Sequence, residues 1–159
     1  MEAIRVKRLV VSIAIPEAVG IISSIFTITA IPDWYSGLAK PFFTPPPWLF
    51  GPAWTLLYAL MGIALYFIWE KYPKNKKSKN ALVLFGIQLF LNFLWTVLFF
   101  GLRSPLLGAV GIVALWIAIA ITIIKFYGIS KKAGIVLLPY LIWVTFAMAL
   151  NIGVLLLNP

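Results

Sequence analysis

The sequence predicts an all-α membrane protein, a bundle of five transmembrane helices forming a single domain over residues 1–159. Three observations predict it. Apolar residues make up 63% of the chain and charged residues 11%, against roughly 45–50% and about 25% in soluble domains. A soluble fold of this length cannot hide so much apolar surface. Five stretches reach the roughly 20 apolar residues that a bilayer-crossing helix needs, and the cations collect at their ends. The runs are long and do not alternate apolar with polar, which argues against membrane strands.

The first span is predicted at Leu9–Ile31. Its basic start resembles a signal peptide, but the apolar run outlasts a usual signal core and Ile28 spoils a small-x-small cleavage site at Ala30, so a retained helix is expected. It carries Glu17, the one formal charge within a span. An ionised carboxylate near mid-bilayer is costly, so Glu17 is expected to be protonated or paired within the bundle. Pro16 beside it frees a backbone carbonyl and favours a kink.

Residues 32–47 (PDWYSGLAKPFFTPPP) form a connection longer than most, stiffened by five prolines. Trp34, Tyr35, Phe42, Phe43 and the following Trp48 give it a greasy surface at headgroup height. An interfacial aromatic belt accounts for the aromatics. The length and rigidity favour a lid over the mouth of the bundle.

The second span is Trp48–Trp69, followed by the Lys-rich loop Glu70–Asn80. The third is Ala81–Phe100, closed by the turn Gly101–Ser104. The fourth is Pro105–Ile124, its proline suited to a first helical turn. Residues Gly128–Lys132 then lead to the fifth, Gly134–Leu157. Such short connections favour antiparallel neighbours.

The cations orient the bundle. With five spans, the N-terminus shares a side with the second and fourth loops. That side holds Arg5, Lys7, Arg8, Lys71, Lys74, Lys76, Lys77, Lys79, Lys125, Lys131 and Lys132, and the other holds only Lys40 and Arg103. The positive-inside rule puts the N-terminus in the cytoplasm.

Composition also excludes chemistry. Without cysteine or histidine, disulfides, zinc-finger sites, thiol nucleophiles, Ser-His-Asp triads and ordinary haem ligation are ruled out. No metal site and no cofactor are expected. The net charge of +9 forms no basic stripe with interleaved aromatics, so nucleic acid is not an expected partner and membrane lipid is.

Polar groups inside the spans are informative because lipid offers them no partner. Gln88, Asn92, Trp95, Thr96 and Phe99 share one face of the third helix. Trp54, Tyr58, Met61 and Leu65 share a face of the second, and Tyr140, Trp143, Ala147, Leu150 and Asn151 a face of the fifth. The first offers Glu17, Gly20, Ser24 and Thr27. Interhelical hydrogen bonding explains such amides and hydroxyls. Three indoles pack helices inefficiently, but they suit the walls of an apolar ligand pocket.

Three segments then carry a resemblance. WYSGLAKPFFTPPPWLFGPAWTLLYALMG (Trp34–Gly62), QLFLNFLWTVLFFGLRSP (Gln88–Pro105) and LLPYLIWVTFAMALN (Leu137–Asn151) resemble the TspO/translocator protein family, whose members are also called tryptophan-rich sensory proteins or peripheral-type benzodiazepine receptors. The resemblance implies a five-helix bundle, usually a homodimer, with a pocket beneath the first loop. It implies binding of porphyrins and of synthetic isoquinoline and benzodiazepine-type ligands. By position it implies a lining of Trp54, Tyr58, Asn92, Trp95, Trp143, Phe146, Ala147 and Leu150, to which the residue pattern adds Trp34, Trp48 and Phe99. It further implies that Trp54 and Trp143 would be the catalytic residues if the chain degrades protoporphyrin IX in light. Two departures stand out. Phe43 replaces a usual tryptophan, and Ile152 replaces the tyrosine of the cholesterol consensus, so tight sterol binding is not expected and a prokaryotic cell membrane is. Leu60, Tyr66 and Lys71 fit only a loose form of that consensus.

The expected function is therefore a membrane receptor or sensor for tetrapyrroles, held by shape and stacking. Light-dependent porphyrin degradation is the second expectation and porphyrin or lipid transport the third. Acid–base hydrolysis is not expected, because Glu17, Asp33 and Glu70 are far apart in sequence and lack evident partners. No inverted repeat or broken-helix pair of the transporter kind is visible.

Overall fold

A computed structural model describes residues 2–72 and 77–159. Lys74 and Lys76, counted above among the cytoplasmic cations, lie outside the described residues. The long helices are α1 (Glu2–Asp33), α2 (Phe50–Trp69), α3 (Lys77–Thr96) and α4 (Pro105–Ile129). They are followed by a short α5 (Lys131–Val136) and by α6 (Leu138–Leu157). Five segments are long and apolar enough to cross a bilayer: Ala3–Asp33, Pro47–Trp69, Lys77–Gly101, Pro105–Ile129 and Lys131–Leu157.

These spans contain the predicted ones and mostly overrun them at the charged ends. Apolarity stops at the first lysine or arginine, whereas the helix does not, because a backbone leaving the hydrocarbon still satisfies its own hydrogen bonds. Long basic side chains meanwhile reach the interface. The fifth span is interrupted at Leu137, between α5 and α6. Pro139 has no N–H to give the carbonyl of Ile135, so the ladder breaks there. Helix α1 runs through Pro16 as helix. Ser104 caps α4, its side chain accepting from the Leu107 amide at 3.2 Å.

Helix α1 packs along α2, α3 along α4, and α4 along α6, while α5 wedges between α2 and α4. In the half nearer the N-terminus this packing is solid. Met61, Ala64, Ile68, Ile119, Phe126 and Leu137 are buried, and the Phe85 and Phe126 rings stack at 5.8 Å. Gly62 lets α1 and α2 touch backbone to backbone. A Cβ there would press on Ile13 Cα and lie 2.8 Å from the Ser12 carbonyl oxygen. Gly108 and Gly111 are likewise used within the chain, against Phe99, Asn151 and Leu98. The outer faces present Ile25, Val110, Ile124, Ile142 and Leu156, all exposed, as a surface facing acyl chains requires. Near the N-terminus Glu70 draws Arg8 to 3.2 Å and Arg5 to 3.7 Å.

The long first loop crosses the opposite end through two 3-10 turns, Tyr35–Gly37 and Pro47–Leu49. Its rigidity has identifiable sources. Lys40 Nζ donates to the carbonyls of Tyr35 (2.8 Å), Ser36 (3.1 Å) and Leu38 (2.8 Å), and lies 5.1 Å from the Tyr35 ring centre. Burial pushes the Tyr35 phenol up, so it stays neutral there. The Asn158 carboxamide clamps the loop from the end of α6: the Ala39 amide donates to Oδ1 at 3.0 Å, and Nδ2 donates to the Ala39 carbonyl at 2.9 Å. Pro41 sits on Gly153 so closely that a Cβ would collide with its ring.

Candidate functional site

Beneath this loop lies a cavity of about 480 Å³, bounded by α1, α2, the end of α3 and α6. That falls within the roughly 300–1,000 Å³ usual for small-molecule sites. Each wall follows from a local feature of the chain. The α2 wall is Trp54 and Tyr58, one helical turn apart, with Trp48 just before the helix. Trp143, Ala147 and Leu150 form the α6 wall. The third wall, Trp95, Thr96, Phe99 and Phe100, lies where α3 loosens into a π-helical turn at Val97–Gly101, with the Leu102 amide reaching the Val97 carbonyl at 2.7 Å. Such single π turns recur at functional sites. Here the turn presents Phe99 and Phe100 next to each other, their rings 4.8 Å apart and nearly perpendicular.

Eight of the predicted residues therefore meet at one cavity: Trp48, Trp54, Tyr58, Trp95, Phe99, Trp143, Ala147 and Leu150. The other three stand one layer back. Trp34 packs edge-on against Phe99 at 5.4 Å. Phe146 lies between Trp143 (5.6 Å) and Phe43 (6.2 Å), joining the wall to the loop. Asn92 is buried behind Tyr58. Helical spacing places a residue on a face, but it does not separate the layer lining a hollow from the layer supporting it.

The supporting layer is a hydrogen-bonded relay across three helices. Tyr58 donates its hydroxyl to Asn92 Oδ1 at 2.6 Å, Asn92 Nδ2 donates to the Tyr140 hydroxyl at 3.0 Å, and Tyr140 donates to Gln88 Oε1 at 3.0 Å. A second link runs from Trp95 Nε1 to Asn151 Oδ1 (3.2 Å), with Asn151 Nδ2 on the Pro105 carbonyl (2.9 Å). Buried amides and phenols without partners are costly in this environment, so the relay fixes how α2, α3 and α6 sit together. It also leaves the floor with few free donors.

The wall that site prediction omitted is α1. Glu17, Gly20, Ile21, Ser24 and Thr27 all line the cavity. Four of them were visible as a stripe, but small and polar residues read equally well as interhelical packing. Gly20 admits the Tyr58 ring: a Cβ there would lie 2.6 Å from Tyr58 Cδ2. The hydroxyls turn back to their own helix, Ser24 donating to the Ile21 carbonyl at 2.6 Å and Thr27 to the Ser24 carbonyl at 3.0 Å. Among the described residues Trp143 Nε1 is buried without a hydrogen-bond partner. The cavity is thus mainly aromatic and aliphatic. Trp54 lies 5.7 Å from Tyr58 and 5.9 Å from Trp95, an arrangement that receives flat apolar molecules by stacking.

Comparison with known proteins places the sequence beside a family. The family model described as TspO/MBR family matches residues 12–157. The chain is 54% identical over 151 residues to the tryptophan-rich protein TspO of Archaeoglobus fulgidus, covering 95% of this chain and 97% of that one. It is 44% identical over 155 residues to the protein of the same name in Chlorobaculum tepidum, covering 98% of each. The human translocator protein is 38% identical over 119 residues, covering 74% of this chain and 70% of its own.

Proposed function

The chain belongs to the TspO/MBR family, and from that premise we propose that it is a multi-pass membrane receptor or sensor. It holds porphyrins, and isoquinoline or benzodiazepine-type ligands, in the aromatic cavity under the first loop. One observation carries the reading: Trp54, Trp95 and Trp143, from three different helices, line a single hollow. A porphyrin is a broad apolar disc, and aromatic pairs add roughly 0.5–1.5 kcal/mol each beyond burial. With no histidine or cysteine in the chain, the ligand is held by shape rather than through such an iron ligand. Lys40, a natural partner for a propionate by position, spends its ammonium on three loop carbonyls. Arg103, which faces Asp33 at 4.0 Å, remains the more available cation at this end.

Titration of the detergent-solubilised protein with protoporphyrin IX tests this. Saturable quenching of tryptophan fluorescence is expected, weakened about tenfold by Trp95→Ala. Quenching that does not saturate, or that is identical in the variant, rejects the pocket. The same samples serve a second reading, light-dependent porphyrin degradation with dioxygen as oxidant. It is favoured by Trp54 and Trp143 sharing the cavity and by the unpartnered Trp143 indole N–H. Equal bleaching by wild type, Trp54→Phe and Trp143→Phe makes those indoles bystanders.

The N-terminus is assigned to the cytoplasm, which puts the lid on the outer face. Because the chain has no cysteine, single cysteines report this directly. Ser36→Cys is expected to react with an impermeant maleimide on intact cells and Lys79→Cys only after lysis; the reverse pattern inverts the topology. The homodimer implied by family belongs to the same proposal. Its contact does not use Gly108 and Gly111, which are occupied within the chain.

A further inference from the structure

Among the described residues Glu17 is the one acid on the cavity wall, and no cation among them is paired with it. It lies near the middle of α1, half-buried, on the lining itself. Among the described residues no hydrogen bond or ion pair reaches it. Ser23 Oγ and Trp143 Nε1, both on the lining, are without partners but carry no charge, and the other nearby groups are engaged elsewhere. Tyr58, on the facing wall, gives its proton to Asn92 at 2.6 Å. Ser24 and Thr27, on the same helix, give theirs to α1 carbonyls. Arg5 and Arg8 are drawn to Glu70. Lys7 is ten residues earlier on the helix, about 15 Å along its axis at 1.5 Å per residue. An intramembrane carboxylate left alone is disfavoured as an ion, so it holds its proton until a cation arrives to pair with it.

The surroundings specify what kind of cation. The cavity is roofed by the loop and walled by Trp48, Trp54, Tyr58 and Trp95. Indole and phenol faces attract a desolvated organic cation, most strongly when it is weakly hydrated and itself flat. A metal ion finds one carboxylate here and, among the described residues, no second acid, histidine or cysteine beside it. A bare anion finds an acid.

We propose that the cavity is a site for flat aromatic monocations, with Glu17 as the counter-ion and the indoles as the stacking walls. This goes beyond porphyrin binding and does not depend on it, since a cation can occupy the Glu17 side whether or not a tetrapyrrole fits.

The test uses a matched pair of fluorescent probes of one shape, 10-methylacridinium, permanently charged, and 9-methylanthracene, neutral. Each is titrated into the full chain in detergent, with protoporphyrin IX titrated in parallel. The expected result is that Glu17→Gln weakens 10-methylacridinium about tenfold or more, while 9-methylanthracene changes less than about twofold. The neutral probe thereby reports that the variant's cavity is intact. Should Glu17→Gln not yield folded protein, wild type alone decides, because 9-anthracenecarboxylate must then bind well below 9-methylanthracene. Equal loss of both probes in the variant, no loss of the cation, or anthracenecarboxylate binding as well as the neutral probe overturns the proposal. Glu17-dependent acridinium binding without porphyrin binding sinks the receptor reading and leaves this one standing; porphyrin binding with Glu17-independent acridinium does the opposite.

Discussion

The two ends of this bundle are made of similar residues and behave as different materials. Towards the N-terminus, α1 and α2 touch at Gly62, Phe85 stacks on Phe126, and Ala64, Ile68 and Ala133 are wholly buried. Towards the loop, α1 leans on α2 through the Tyr58 ring at Gly20, and beyond that the helices enclose a void walled by indoles. The difference is one of shape. Small side chains let backbones close on each other, and in a membrane close packing replaces the hydrophobic effect as the force between helices. Indoles are broad and stiff, so three of them facing inward from three helices hold those helices apart. A hollow is what remains.

The contrast can be broken at its solid end first. Gly62→Val forces a side chain against the α1 backbone, where neither Ile13 Cα nor the Ser12 carbonyl can swing aside. A loss of about 3 kcal/mol is expected, the upper part of the usual overpacking range, read as a lowered midpoint in thermal or SDS unfolding. Gly20→Ala sharpens the comparison from the hollow end. The nearest atoms to its new methyl are those of the Tyr58 ring, which borders the cavity, so the loss is expected near 1 kcal/mol, with ligand affinity falling more than stability. If the two substitutions cost the same, the ends do not differ as argued. The smallest effect belongs to the roof. Asn158→Ala removes two hydrogen bonds to the Ala39 backbone, at an exposed site where about 1 kcal/mol is the most to expect. Its signature is kinetic: ligand release accelerates severalfold in stopped-flow chase while the unfolding midpoint barely moves.

Sequence was a good guide where chemistry is one-dimensional. The five spans follow from apolar run length, and their true ends escaped because helices continue past their first lysine, as α3 does from Lys77 rather than Ala81. The break at Leu137 was encoded by Pro139 but hidden inside a continuous apolar run. The π turn at Val97–Gly101, which packs against α1 and α4, left no readable trace in the local sequence. Within the cavity, periodicity found the faces of α2, α3 and α6. It could not order the layers, so Asn92, Trp34 and Phe146 were grouped with residues they support. The α1 wall is ambiguous in sequence, because Gly20, Ser24 and Thr27 fit close packing as readily as a cavity surface.

The Asn158 clamp has a consequence for how the protein is made. It joins positions 119 residues apart in the chain, so the loop emerging after α1 can rest on Phe99 at the end of α3 but lacks this latch until α6 is in the membrane. Closing so distant a contact is entropically dear and comes late in assembly. An immature form with its first helices inserted has an unlatched roof and an indole face without its α6 wall. Completion of the binding chamber and completion of the membrane-inserted fold are therefore one event.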